Sequence, residues 1–275
     1  MNDTRARIRR MMQQLRQRSG LPSSSAIVSE TFERLGYDQD VMTRNDILSN
    51  FSEYLKMMFI ETLPTLEEYE ERTYAEGIPR ALMWEYPEIT SDAEDVAMRL
   101  GFREGVAHLF QHMYPMLRRA FQSVDQSRKA RGGKDFELQI EGLLNLAQVP
   151  FTRQDIRSRT DLILPSREVF DVDRSVSMVV SVKRTFRERW REVVEELNNL
   201  MAPNVFLFTA EERVSSSVVR RACRELGIHI VVWDEVKAAQ YPNESLVLGY
   251  TQWADDRLKF LMREWDRRPA IPFAL

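Results

Sequence analysis

The stretch MVVSVKRTFRERWREVVEEL (178–197) decides how the whole chain is read. Its first five residues, MVVSV (178–182), are a short apolar strand that ends at Lys183. Lys183, Arg184, Arg187, Glu188 and Arg189 then fall within seven positions. Such a cluster is either the solvated first turn of a surface helix or a device that needs those charges in one place.

The surroundings of this stretch alternate in type. TDLILP (160–165), NVFLFT (204–209) and IHIVVWD (228–234) are apolar runs of strand length. Between and after the strands lie RERWREVVEELNNLM (187–201) and VSSSVVRRACRELG (214–227), which have helical periodicity. DFELQIEGLLNLA (135–147) precedes them as a helix with Phe136, Ile140, Leu143 and Leu144 on one face, and TQWADDRLKFLMREW (251–265) follows as an amphipathic helix. A helix followed by strands that alternate with helices predicts an α/β core with a central mixed sheet.

The first half reads as helical. RIRRMMQQLRQR places Ile8, Met11, Met12 and Leu15 on one stripe with arginines elsewhere; six arginines lie between Arg5 and Arg18. SETFERLG (29–36) is a short helix and TRNDILSNFSEYLKMMFIETL (43–63) a longer one, whereas TLEEYEERTYAEG (65–77) is acidic and expected to be exposed. His108 and His112, spaced i, i+4 in a further helical stretch (91–124), are expected to serve helix packing rather than a metal. The polar, glycine-containing SRKARGGKD (127–135) marks a boundary. The expected organisation is therefore a helical region over 1–126 and an α/β domain over 127–275.

Composition excludes several classes. With 43% hydrophobic and 29% charged residues the chain is ordinary for a globular protein, and no run is apolar enough to span a membrane. The N-terminus has no continuous apolar core and is not expected to be a secretory signal. One cysteine, Cys223, excludes an intrachain disulfide framework and a cysteine-based zinc site, which points to a reducing compartment. No phosphate-binding glycine loop, GxSxG, HExxH or Cys/His cluster is present, and no nucleotide cofactor is expected. The net charge of −3 decides nothing about nucleic acid, because a local basic surface matters more than the total.

What remains is charge at strand ends. Asp161 opens one strand and Lys183 follows the next, so that a carboxylate and an ammonium can converge. That pairing suits Mg²⁺-assisted phosphodiester hydrolysis, in which carboxylates hold the ion and a cation steadies the developing charge. A second acid is needed. Trp190, Val193, Val194 and Leu197 form the apolar stripe of the following helix; Glu196 lies at its edge, while Glu192 and Glu195 turn toward solvent. Glu137, next to Phe136, is a candidate outer acid. Each residue taken singly has a plainer reading as a turn residue, a solvent-facing lysine or a solvated helix. Their order along the chain is what favours chemistry.

That order resembles the PD-(D/E)xK nuclease superfamily. Where the usual motif has an acid two residues before the lysine, this chain has Ser181. The same departure marks the EcoRII- and NgoMIV-like restriction endonucleases, in which the acid has moved to the next helix; Lys183 and Glu196 have that spacing. RER (187–189) is similar to the element with which the group reads CC:GG base pairs. The chemistry of those side chains agrees, since Arg pairs bidentately with guanine and Glu accepts from cytosine N4. TDLILP departs from the motif's Pro-Asp by having Thr160, a position that is not a ligand.

The resemblance implies a type II restriction endonuclease that cuts double-stranded DNA at a palindrome containing CC and GG. Asp161, Lys183, Glu196 and Glu137 would be catalytic, Asp161 and Glu196 would hold Mg²⁺, and Arg187, Glu188 and Arg189 would read bases. It also implies a homodimer, or a higher oligomer, in the cytoplasm of a prokaryotic cell. The rival readings are a repair or junction nuclease of the same superfamily, which has no use for base reading at 187–189, and a non-catalytic DNA-binding protein with a degenerate nuclease fold.

Overall fold

The structure is a computed structural model and describes residues 2–18, 21–155, 160–186 and 190–268. Helices come first along the chain: α1 (Asn2–Arg18), α2 (Ser24–Arg34), α3 (Arg44–Ser49), α4 (Phe51–Glu85), α5 (Pro87–Leu100) and α6 (Phe102–Leu146). Strands then alternate with helices: β1 (Thr152–Asp155), β2 (Thr160–Leu164), α7 (Arg167–Val172), β3 (Met178–Val182), α8 (Trp190–Asn198) and β4 (Val205–Phe208). They continue as α9 (Ser216–Val219, extended by π-helical Arg220–Glu225), β5 (His229–Val232), α10 (Asp234–Gln240) and β6 (Val247–Gly249). The last elements are α11 (Tyr250–Gln252), π-helical Trp253–Leu258 and α12 (Lys259–Arg267).

The strands form one mixed sheet in chain order, β1-β2-β3-β4-β5-β6. The β1–β2 and β2–β3 pairs are antiparallel, and the pairs from β3 to β6 are parallel. Parallel strands are covered on both faces and so carry no polar side. This accounts for the apolar runs of β3, interrupted only by Ser181, and β4, every residue of which is buried. The two strands that the sequence reading missed lack that signal: β1 is TRQD at the sheet edge, and β6 is only VLG.

The chain separates into two compact units, one made of 1–27 and 62–132, the other of 28–61 and 133–275. This differs from a single cut at 126/127, because 28–61 groups with the sheet. Its Ile47, Leu48, Phe51 and Leu55 are buried in one core with Phe136, Ile140, the strands, Tyr250 and Trp253. The Trp253 ring packs edge-on to Phe51, Phe206 and Phe208, with centroids 5.6, 6.3 and 4.7 Å away.

The helical unit has its own core, in which Ile8, Met11 and Met12 of α1 meet Tyr74, Ile78 and Leu82 of α4 and Met113, Met116 and Ala120 of α6. TLEEYEERTYAEG is not the exposed segment expected. Within α4 it buries Leu66, Glu70 and Tyr74, and Glu70 is neutralised by Arg128. SRKARGGKD does contain a boundary between the two units, at Gly132/Gly133, yet the helix is not broken there, since α6 runs through both glycines. Two helical glycines cost about 1 kcal/mol each. The Arg128 ion pairs on one side and buried Phe136 and Ile140 on the other offset that. The helix expected over 43–63 is interrupted at Asn50, whose N–H and side-chain amide both donate to the Asp46 carbonyl. His108 and His112 stack on each other at 4.0 Å, with His112 exposed, rather than packing into a core.

Trp253→Ala should lower unfolding stability by about 3–5 kcal/mol, the usual cost of emptying a buried aromatic site. Trp253→Phe should cost clearly less, because the buried indole N–H that it removes has no acceptor among the described residues. Urea unfolding followed by circular dichroism measures both; equal losses would show that the indole N–H is satisfied.

Candidate active site

The antiparallel pairing of β2 with β3 sets Leu162 against Val180, and continuing that register puts Asp161 across from Ser181. The start of one strand thus meets the end of the next, which is how residues some twenty positions apart reach one point. Asp161 Oδ2 accepts from Lys183 Nζ at 2.8 Å, from the Val182 N–H at 2.6 Å and from Ser181 Oγ at 3.1 Å. Lys183 Nζ also donates to the Val182 carbonyl at 3.0 Å. The Asp161 side chain is 13% exposed and that of Lys183 32%, so the pair is partly buried yet open to solvent on one edge. Ser181 stands where the usual motif has an acid. A carboxylate there would repel Asp161, whereas the serine hydroxyl donates to it.

Neighbouring strand ends hold the segment that follows. The Lys183 N–H donates to the Phe208 carbonyl at 2.9 Å, and Ala210 N–H and Thr209 Oγ1 donate to the Arg184 carbonyl at 3.2 and 3.3 Å. The Arg184 guanidinium lies over the Phe59 ring, 5.1 Å from its centroid. Glu211, just past β4, accepts the Phe186 N–H through Oε1 at 2.5 Å. Its own loop is braced by Trp233 Nε1, which donates to the Ala210 carbonyl at 3.1 Å. Burial raises the Glu211 carboxyl above the usual carboxylate range, partly opposed by the Phe186 N–H.

On α8 the buried side is Val194 and Leu197, with Trp190 and Val193 partly buried. Glu196 is half-buried at the edge of that side, while Glu192 and Glu195 are exposed. Glu195 accepts from Arg221 Nε at 3.1 Å. On α6 Glu137 pairs with Lys134 at 2.9 Å. One turn further Glu141 is more deeply buried, at 4% side-chain exposure, with Arg153 Nη2 2.7 Å away. Burial raises the Glu141 carboxyl, Arg153 and Lys134 pull it back, and the charges of Glu137 and Asp161 add to the rise. Glu141 therefore lies within the field of Asp161. Among the described residues no three His, Cys, Asp or Glu side chains converge as a ready metal cage. Cys223 is a buried structural thiol, pushed up to about 12 by burial.

The family described as EcoRII C terminal matches residues 101–248, which include β1 to β5, the Asp161–Lys183 pair and Glu196. The chain belongs to that family. The type II restriction enzyme SsoII of Shigella sonnei is 28% identical over 252 residues, 88% of this chain and 78% of its own length. The type II restriction enzyme EcoRII of Escherichia coli is 31% identical over 140 residues, 44% of this chain and a 33% share of that protein. Metal-depleted Ecl18kI in complex with uncleaved DNA superposes with a TM-score of 0.80 at 25% identity, covering 95% of this chain and 86% of its own. A PspGI–substrate DNA complex shares the fold, with a TM-score of 0.59 at 22% identity over 90% of this chain and 96% of its own. The restriction-endonuclease fold and the membership of the type II class expected from the sequence both hold.

The structure brings Asp161, Lys183 and Ser181 together and places Glu196 on the inner edge of α8. Arg187, Glu188 and Arg189 lie outside the described residues. The sequence reading missed Glu141 and Glu211. Glu141 repeats the Glu137 position one turn on, a spacing that was legible. Glu211 gave no local signal, because its partner is 25 residues away.

Glu211 yields a pH-dependent expectation. A raised folded value means that the protonated form is the favoured one, so the ionised carboxylate is a burden at neutral pH that disappears as pH falls through the raised value. Glu211→Gln keeps an acceptor without the charge. It should melt no lower than wild type at about pH 7 and lose any advantage toward about pH 4. Glu211→Ala, which leaves the Phe186 N–H without that acceptor, should melt lower at both. A Gln variant as damaged as the Ala variant would show that the charge itself is needed.

Proposed function

We propose that this restriction endonuclease hydrolyses one phosphodiester bond in each strand of duplex DNA at a short palindrome containing CC and GG, of the CCGG, CCNGG or CCWGG type. The observation that carries the reading is the partly solvent-exposed Asp161–Lys183 pair at the ends of β2 and β3, with the Arg-Glu-Arg segment four residues further along the sequence. A homodimer is part of the reading, since one site per chain and two cuts in a palindrome require two copies related by the twofold axis of the DNA.

Mg²⁺ suits the donors present. Carboxylate oxygens are hard ligands, Asp161 keeps a solvent-facing edge, and Mg²⁺ retains waters rather than needing a protein cage. Asp161 and Glu196 would hold it, with Glu141 or Glu137 as an outer acid; bound there, it would polarise the phosphate and lower the pKa of water. The remaining work falls to the chain. Asp161 fixes the position of Lys183 Nζ, and the ammonium orients the attacking water and steadies charge on the phosphate as the bond to the leaving oxygen breaks. Ser181 and the Val182 N–H hold the aspartate in turn. Arg187, Glu188 and Arg189, which precede α8 in the sequence, read base edges.

Lys183→Ala should lower cleavage by about 10²-fold or more while leaving specific DNA binding in Ca²⁺ nearly intact. Asp161→Ala and Glu196→Ala should abolish Mg²⁺-dependent cleavage, while Glu192→Ala and Glu195→Ala should not. Digestion of DNA of known sequence with mapping of the ends reads all five variants and reveals the site. Inactivation by Glu192→Ala with an active Glu196→Ala would mean that the metal ligand is on the other side of α8.

Base reading has its own signature. Alanine at Arg187, Glu188 or Arg189 should remove about 1–3 kcal/mol of preference for the cognate duplex. Phosphate-contacting arginines would instead weaken every sequence alike. Glu188→Ala discriminates best, because a carboxylate without a base partner only repels DNA and its loss would raise affinity for all duplexes. Competition binding between cognate and singly changed duplexes checks this, and wild-type preference in all three variants would exclude the segment as the reading element.

A further inference from the structure

We propose that the groove between α1 and α6 in the helical unit is a binding site for the phosphate backbone of duplex DNA, independent of base sequence. The proposal rests on the restriction reading only in taking duplex DNA as the ligand. The groove has a volume of about 920 Å³, and Arg5, Arg9 and Arg16 of α1 and Arg119 of α6 line it. Its other polar side chains are neutral hydrogen-bonding groups, among them Gln13, Gln122, Gln126 and Ser127, and Ile8 lies in it as well. Among the described residues that line it there is no carboxylate. Elsewhere in the same unit arginines meet acids, as in Arg7 with Glu85 and Arg128 with Glu67 and Glu70.

The groove is a built feature. Arg16 Nη2 donates to the Ser123 carbonyl at 2.9 Å and to Ser123 Oγ at 3.1 Å, and its Nε donates to the Tyr74 hydroxyl at 3.1 Å. These bonds fix α1 against α6 and α4 and leave Arg5 and Arg9 exposed along the same stripe. Arg119 Nη1 is buried without a hydrogen-bond partner among the described residues. Four guanidinium groups facing one concavity repel one another, a cost that folding does not repay and a polyanion does. At 1.5 Å of rise per residue the stripe from Arg5 to Arg16 extends about 17 Å. That length suits a row of phosphates better than a single small anion. Forked guanidinium donors and neutral amides are what phosphodiester oxygens accept from.

The test uses the full-length protein in Ca²⁺, with cognate and non-cognate duplexes of equal length titrated by fluorescence anisotropy at several salt concentrations. The Arg5→Ala/Arg9→Ala double variant should bind both duplexes more weakly by the same factor. Its plot of log K against log salt should be shallower by about two, one unit per lost phosphate contact. Arg5→Lys/Arg9→Lys should restore most of the slope, since the charge returns. Wild-type affinity and slope in the alanine variant, with its fold verified by circular dichroism, would overturn the proposal. Inorganic phosphate supplies a second arm. If it raises the thermal midpoint of wild type but not of the alanine variant, and the DNA slope is unchanged, the groove takes free phosphate and the DNA assignment fails. A wild-type protein that neither binds nor cuts duplex DNA would overturn the restriction reading as well, whereas a cutting wild type with an unaltered variant overturns this proposal alone.

Discussion

The antiparallel register of β2 on β3 is the constraint on which the site depends. A strand pair shifted by one residue turns every side chain to the opposite face. Such a shift would carry Asp161 away from Lys183 and Ser181 and put a buried apolar residue in its place. The register is held by Leu162, Ile163 and Leu164 lying against Val180, Val179 and Met178, all of them buried. Burying one such side chain is worth about 1.5–3 kcal/mol, far more than the surface-exposed part of a salt bridge returns. The apolar pairs therefore place the ion pair, and the ion pair does not place the strands.

The rest of the sheet extends this arrangement. β4 and β5 run parallel to β3, so their ends lie on the same side as Lys183 and supply the groups that hold the chain after it. Thr209, Ala210 and Glu211 follow β4, and Trp233 follows β5. In open α/β sheets ligands meet the protein at the carboxyl ends of parallel strands. Here that edge does two things: it fixes Lys183, and through Glu211 and Thr209 it fixes Arg184 and Phe186, the approach to Arg187. A carboxylate spent on one backbone N–H is costly in a partly buried place, which is the cause of its raised pKa.

Much of this was legible from local pattern. The run MVVSV announced an apolar strand because nothing polar interrupts it except Ser181, and the phase of α8 followed from Trp190, Val193, Val194 and Leu197 without further help. Features set by distant partners were not legible. Glu70 looked like one acid among many in TLEEYEERTYAEG, and only Arg128 on another helix makes its burial tolerable. The glycine pair at 132–133 has the sequence signature of a break, yet the packing on both sides carries α6 through it. β1 and β6 were invisible because an edge strand needs no apolar alternation and a three-residue strand offers too few positions to show a period.

The same contrast explains why arginines that look alike in sequence behave differently. Arg7 and Arg16 sit in one basic helix, but Arg7 pairs with Glu85 whereas Arg16 donates to neutral oxygens. The helix phase decides which, since positions 5, 9 and 16 share a stripe from which 7 is turned away. Charge counted along the chain gives one net value of −3 for both kinds of surface. Only when helices are packed does a stripe without carboxylates become a concave field of one sign, and it is that local field, not the total, that a polyanion meets.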